Sequence, residues 1–144
     1  MPAIFVDTSA FYGLADRADR THAAAARVAQ ELRGADLVTS NLVLAEGWLL
    51  LRSRLGREAA LSFWSTIRAG AAALASVEPQ DLERAWAIAS DFGDQDFSLV
   101  DCTSFALIER LGIRQAFSFD RDFVVFRFGP RRTEHLEVLG LSRL

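Results

Sequence analysis

Ala3-Ile4-Phe5-Val6-Asp7-Thr8-Ser9 is the stretch on which the fold turns. Four apolar residues in succession, without the polar alternation of a half-exposed strand, suit a short strand covered on both faces of a parallel sheet. The run stops at an acid and two hydroxyl residues, and a helical pattern follows over residues 9–17. Strand, polar turn and helix together open an α/β layer fold, and the rest of the chain repeats that alternation.

Working outward, a helix is predicted over residues 21–32, with Thr21 as its N-cap and Gly34 as its stop. A strand follows over 37–39, then helices over 41–55 and 57–69 closed by Gly56 and Gly70. Residues 72–77 suit a third strand. Pro79 opens a helix that runs to about residue 92, and Gly93-Asp94-Gln95-Asp96 breaks the pattern. A helix over 99–111 ends at Gly112; a strand over 115–119, a short turn or helix over 120–126 and a fifth strand over 135–139 complete the chain. There is no internal repeat, low-complexity tract or linker, so residues 1–144 are expected to form one domain around a mostly parallel sheet.

A chain of 144 residues that is 51% hydrophobic and 24% charged has ample material for a packed core and is not of disordered composition. Its net charge is −3, and all 16 basic residues are arginine. The lack of lysine excludes Schiff-base and P-loop chemistry. A slightly acidic protein does not hold nucleic acid by bulk charge; a metal and a few arginines would have to do so locally. Cys102 has no partner in the chain, which points to a reducing compartment. Asp7 arrives too early for an ordinary signal peptide, and the greasiest stretch, residues 42–51, is interrupted by Glu46 and too short to cross a bilayer. The expectation is a cytoplasmic protein with no membrane association.

Ligands of open parallel sheets bind at the carboxyl ends of the strands. Asp7 follows the first strand and Asp120 the fourth, so both are expected along that edge. Glu46 lies in a helix that starts just after the second strand, flanked by Leu42-Val43-Leu44-Ala45 and Trp48-Leu49-Leu50-Leu51, a setting that predicts burial. Asp101 opens a helix whose next turns are equally apolar. Singly, Asp7, Asp101 and Asp120 also suit helix caps; Glu46 does not fit a solvated face. Four carboxylates brought together need compensation, and a divalent cation is the simplest. Oxygen ligation suits Mg²⁺ or Mn²⁺. Zinc is disfavoured, because His22, His135 and Cys102 show no usual ligand spacing. Such a site suits phosphodiester hydrolysis, with one metal ion or a pair about 4 Å apart.

At these residues the sequence resembles the PIN-domain family, and within it the VapC-type toxins of bacterial toxin–antitoxin pairs. Phe5-Val6-Asp7-Thr8-Ser9-Ala10-Phe11 is similar to the first acidic motif of the family. Thr39-Ser40-Asn41-Leu42-Val43-Leu44-Ala45-Glu46 is similar to the second, Asp96-Phe97-Ser98-Leu99-Val100-Asp101-Cys102 to the third and Phe117-Ser118-Phe119-Asp120-Arg121-Asp122-Phe123 to the fourth. The resemblance implies a three-layer α/β/α sandwich, an acidic Mg²⁺ or Mn²⁺ site and endoribonuclease activity. For the toxin branch it implies a homodimer and a small antitoxin protein that blocks the site. Asp7, Glu46, Asp101 and Asp120 become ligands or orient the attacking water. Asp122 becomes a supporting fifth acid, and Ser9 and Ser118 become hydroxyls that hold the carboxylates or water. Asp96 is expected to be a turn or helix-start residue.

Arg121, between two of these acids, is a candidate phosphate contact. Arg52, Arg54, Arg57, Arg131 and Arg132 suit either phosphates or, on balance, helix ends and solvated loops. Phe63, Trp64, Trp86 and Phe92 suit core or interface anchors, Trp48 a core or dimer contact, and residues 49–55 a subunit or antitoxin surface. His22 and His135 are expected at the surface and Cys102 in packing. A phospho-receiver module would need a lysine that is absent, and a haloacid-dehalogenase-like phosphatase would need an aspartate where Ser9 stands. A PIN-fold RNA-binding module without turnover is the competing reading, together with an RNA-processing or DNA nuclease outside any toxin system. Metal-stimulated cleavage separates binding from catalysis.

Overall fold

A computed structural model describes residues 2–144. In chain order the elements are β1 (Ile4–Val6), α1 (Thr8–Ala15), α2 (His22–Glu31), β2 (Leu37–Ser40), α3 (Asn41–Leu55), α4 (Arg57–Arg68) and β3 (Ala73–Ala75). They continue as α5 (Pro79–Asp91), α6 (Leu99–Leu111), β4 (Gln115–Ser118), α7 (Asp122–Val125), β5 (Arg127–Phe128), β6 (Glu134–His135) and β7 (Glu137–Gly140), with a final 3₁₀ turn (Leu141–Arg143).

Five strands form one parallel sheet in the order β3-β2-β1-β4-β7. Neighbours in β1 serve opposite faces, as the period of a strand requires. Phe5 packs with residues of α5, α6 and α7, whereas Ile4 and Val6 pack with α1 and α2. That double burial is why the opening run is apolar throughout, and it makes the three-layer α/β/α arrangement. A further cluster of Tyr12, Leu51, Ala60, Phe63 and Ile67 joins α1, α3 and α4. Gly47 permits this packing: a Cβ there would fall 2.6 Å from the Phe63 ring.

The chain runs outward from β1 through β2 to β3, then returns to place β4 on the other side of β1. Such a reversal opens a crevice at the carboxyl ends of the two central strands. Asp7 leaves β1 there, with its N–H donated to the Phe117 carbonyl at 3.0 Å, and Asp120 leaves β4 beside it.

Most of the elements expected from the sequence are present within a few residues. The predicted fifth strand over 135–139 is instead two pieces. Glu134 and His135 pair antiparallel with Arg127 and Phe128, a ribbon the sequence pattern did not suggest, and Glu137–Gly140 pairs parallel with β4. Leu136, only 4% exposed, turns into the core between them. Thr21 precedes α2 but makes no side-chain cap; its hydroxyl and N–H are donated to Asp19. No helix among the described residues is long and apolar enough to cross a membrane.

Candidate functional site

Asp7 is set by the end of β1. It is the N-cap of α1 and is 3% exposed. One of its oxygens, Oδ2, accepts from the Ser9 hydroxyl at 2.8 Å and the Ser118 hydroxyl at 2.9 Å. Each hydroxyl in turn accepts a backbone N–H of the turn after β4: Phe119 to Ser9 at 2.9 Å and Asp120 to Ser118 at 3.0 Å. The two serines therefore tie the ends of β1 and β4 into one corner. Gly140 completes it, since a Cβ there would fall 2.7 Å from the Ser118 carbonyl oxygen and its φ is +125°.

Glu46 is placed by the Thr39-Ser40-Asn41 turn. Thr39 donates to the Val6 carbonyl at 2.9 Å, Ser40 caps α3 through the Val43 N–H at 3.0 Å, and Asn41 accepts from the Val77 N–H at 2.9 Å. Helix α3 thus starts directly at the sheet edge, and its second turn presents Glu46 to the crevice. Its apolar flanks predicted a buried carboxylate; it is half-buried instead, because Leu42, Ala45 and Leu49 of the same helix also face outward or lie only partly covered.

Asp101 and Asp122 are brought together by aromatic packing. Phe105, one turn after Asp101, stacks on Phe126 at 4.2 Å between centroids and meets Phe123 edge-on at 4.9 Å. These pairs each add about 0.5–1.5 kcal/mol beyond burial and hold the short α7 against α6. Ser98 caps α6 by accepting the Asp101 N–H at 3.0 Å. Asp101 is therefore a first-turn residue, and not the cap.

One cavity of about 370 Å³ collects these groups. Asp7, Ser9, Glu46, Asp101, Asp120 and Asp122 all line it, together with Thr8, Leu50, Asp96 and Ser98. Ser118 lies beneath the wall, fully buried. Arg121 is exposed and lines no part of the cavity. Among the described residues, one group has its ligating atoms within 4.8 Å of one another: Asp101, Asp120 and Asp122. Asp122 thus belongs to the tightest acidic cluster, closer in than its expected supporting role. Asp96, expected as a turn or helix-start residue, also faces the cavity, and its charge acts on Asp122.

Crowding shows in the proton affinities. Burial pushes Asp7 up from 3.8 to about 6, against the lowering effect of its serine hydrogen bonds. Burial pushes Asp101 up to about 8, reinforced by the charges of Asp7, Asp120 and Asp122. Asp122 is also raised, first by burial and then by Asp120, while the hydrogen bond it receives from protonated Asp101 works the other way. A carboxylate site that would retain a proton near neutral pH is one that a cation relieves.

The donor set fits a hard divalent ion. Every ionisable group in the wall is a carboxylate, and no histidine or cysteine lines it. Thr8 Oγ1, in the same wall, is the buried side-chain oxygen among the described residues that finds no hydrogen-bond partner. Oxygen-rich walls of this kind suit Mg²⁺ or Mn²⁺. Cys102, next to Asp101 but turned into the core, is 1% exposed; burial and the Asp101 charge keep its thiol protonated.

The remaining candidates lie elsewhere. His22 is half-buried against the Gly13 carbonyl at 2.8 Å, and His135 is exposed. Arg132 pairs with Asp91 over the Phe92 ring. Phe63 is core, whereas Trp86 is 70% exposed and Trp64 44%, so these two are not core anchors. Trp48 is half-buried and meets Trp64 edge-on at 5.7 Å.

Residues 4–129 match the family described as the PIN domain. The chain is 36% identical over 132 residues to the 23S rRNA-specific endonuclease VapC20 of Mycobacterium tuberculosis, an alignment covering 91% of this chain and 99% of that protein. It is 30% identical over 118 residues to ribonuclease VapC26 of the same organism, covering 82% and 87%. The crystal structure of Mycobacterium tuberculosis VapC20, described as a sarcin–ricin loop cleaving toxin, superposes with a TM-score of 0.79 at 35% identity, covering 85% of this chain and 93% of that one. A Pyrobaculum aerophilum protein, PAE2754, shares the fold with a TM-score of 0.65 at 19% identity, covering 99% and 93%.

Proposed function

Because the chain belongs to the PIN-domain family, we propose that residues 1–144 are one nuclease domain, a Mg²⁺- or Mn²⁺-dependent endoribonuclease. We further propose that it is the toxin of a VapBC-type pair, acting as a homodimer and held inactive by a small antitoxin protein. The observation that carries the chemistry is Asp101, buried among Asp7, Asp120 and Asp122 in a cavity with carboxylates as its only ionisable groups. Near-complete coverage of the relative that cleaves 23S rRNA supports RNA as the substrate.

Asp7, Asp101, Asp120 and Glu46 would hold the cation, with Asp122 joining Asp101 and Asp120. When bound, such an ion lowers the pKa of a water, polarises the phosphoryl oxygens and stabilises the leaving oxygen. The chain supplies the positioning. Ser9 and Ser118 both bind Asp7 Oδ2 and leave Oδ1 free of them. Ser118 also holds the Asp120 N–H, so Asp7 and Asp120 keep a fixed separation. Glu46 takes part in no side-chain hydrogen bond among the described residues and is free to orient the attacking water. The hydrolysis joins the water oxygen to phosphorus and breaks the bond to the 3′ oxygen, leaving a 5′-phosphate and a 3′-hydroxyl. Arg121, exposed and next in sequence to Asp120, would meet a phosphate outside the cavity.

Purified protein incubated with 23S rRNA and with total cellular RNA in Mg²⁺ or Mn²⁺ tests the reading. Cleavage that EDTA and Asp7→Asn both abolish is the expected result. Cleavage unaffected by Asp7→Asn, or absent with both RNAs and both metals, overturns it.

A further inference from the structure

Beyond the acidic cavity, α1 and α3 continue side by side and carry an unpaired cation to the surface. On α1, Thr8 and Ser9 line the cavity and Tyr12 follows one turn later. On α3, Glu46 and Leu50 line it and Arg54 follows one turn after Leu50. The Arg54 guanidinium lies over the Tyr12 ring, 5.2 Å from its centroid. Tyr12 is 9% exposed and its hydroxyl is donated to Asp16, so the ring is a fixed platform.

Arg54 is exposed and belongs to none of the five ion pairs among the described residues. The nearby acids hold other partners, although the Arg54 charge still bears on Asp19. Asp16 accepts from the Tyr12 hydroxyl and the Ala18 N–H, and Asp19 accepts from the Thr21 N–H and hydroxyl. Arg52 and Arg57, its neighbours in sequence, line a different groove with Leu49 and Ser53. Other arginines are equally unpaired; what singles out Arg54 is its place at the end of the seam, over the Tyr12 ring.

We propose that Arg54, stacked on Tyr12, holds a backbone phosphate of the RNA flanking the scissile bond, so that the seam between α1 and α3 is the path by which one end of the strand leaves the cavity. The inference rests on the ribonuclease reading above. A guanidinium held over a ring loses little freedom on binding, and the N–H groups of Arg54 that the Tyr12 hydroxyl does not take remain for phosphate. Eight residues at 1.5 Å each put Arg54 about 12 Å along α3 from Glu46, beyond the reacting phosphate and within reach of the flanking chain. A cavity walled with carboxylates repels a polyanion wherever the cation does not neutralise it. Attraction is needed just outside, where Arg54 stands.

Fluorescence anisotropy of a labelled mixed-sequence single-stranded RNA, in Ca²⁺ and across a salt series, tests the proposal. Arg54→Gln is expected to weaken binding roughly fivefold. It should also lower the slope of log K against log salt by about 0.7, the signature of one lost phosphate contact on a single strand. Arg54→Lys should recover the slope but not the full affinity, and Arg68→Gln, an exposed arginine on α4, should match wild type. For any RNA the enzyme cleaves, Arg54→Gln should raise KM and spare kcat. Wild-type affinity and slope in Arg54→Gln would overturn the inference and leave the metal-nuclease reading standing. Failure of the wild type to bind RNA at low salt would overturn both.

Discussion

The acids of the cavity stand on two walls that are built differently. On the wall built from the sheet edge with α6 and α7, Asp7 is buried and locked by Ser9 and Ser118, and Asp101 is buried against Asp122 over a floor of phenylalanines. On the helical wall, formed by α3, Glu46 is half-buried and takes part in no side-chain hydrogen bond among the described residues. The first wall is costly without a cation and rigid enough to define its position. The second is inexpensive and adjustable. A site that must grip an ion and also orient a small mobile reactant gains from having one of each.

The largest expected effect falls on the corner that joins β1 to β4. Ser118→Ala removes one hydrogen bond from Asp7 and strands the Asp120 N–H, which costs about 1–3 kcal/mol of stability. Cation affinity or cleavage rate should fall about 10–100-fold, the range for residues that orient metal ligands. Equal activity in Ser118→Ala would show that the corner is packing only.

Next is the pH dependence of the cation-free protein. Asp101 binds its proton with a pKa of about 8 when folded and 3.8 in its ordinary state. Between those values the folded chain holds a proton that the unfolded chain has released, so stability falls as pH rises through the window. Asp7, raised to about 6, acts in the same direction. Asp81, lowered by its Arg110 ion pair, acts oppositely but only at pH values below its ordinary 3.8. Thermal melts in EDTA should therefore show a declining Tm from about pH 5 to pH 8. Asp101→Asn should remove most of the decline and raise the cation-free Tm at pH 8. A Tm that climbs over this range in wild type would contradict the burial of Asp101.

The smallest effect belongs to the helical wall. Glu46→Gln should change cation-free stability by no more than about 0.5 kcal/mol, as for substitutions away from packed networks. It should still slow cleavage. A large stability change would mean that the two walls are not as different as their hydrogen bonds make them.

Much of this arrangement was legible in the sequence because it rests on local rules. The uninterrupted Ile4-Phe5-Val6 run marks a doubly covered strand, and an acid directly after such a strand must lie at the sheet edge. Asp7 and Asp120 are legible that way, Glu46 and Asp101 through their settings in apolar helices, and all four line the cavity. What escaped depends on contacts distant in sequence. The closeness of Asp122 to Asp101 follows from Phe105, Phe123 and Phe126 packing between two helices, which no spacing reveals. The split of residues 134–140 follows from the pairing of Arg127 and Phe128 with Glu134 and His135. Ser98 has a readable signal: Ser98-Leu99-Val100-Asp101 is a capping pattern that sets its hydroxyl against the Asp101 N–H.

Calorimetric titration of the cation-free protein with Mn²⁺ at pH 7, repeated in buffers of different ionisation enthalpy, tests the central claim most directly. With Asp101 protonated before binding and ionised after it, about one proton should be released per protein, and Asp101→Asn should abolish the release. Absence of Mn²⁺ binding, or binding with no proton released, would contradict the assignment of this cavity as the metal centre.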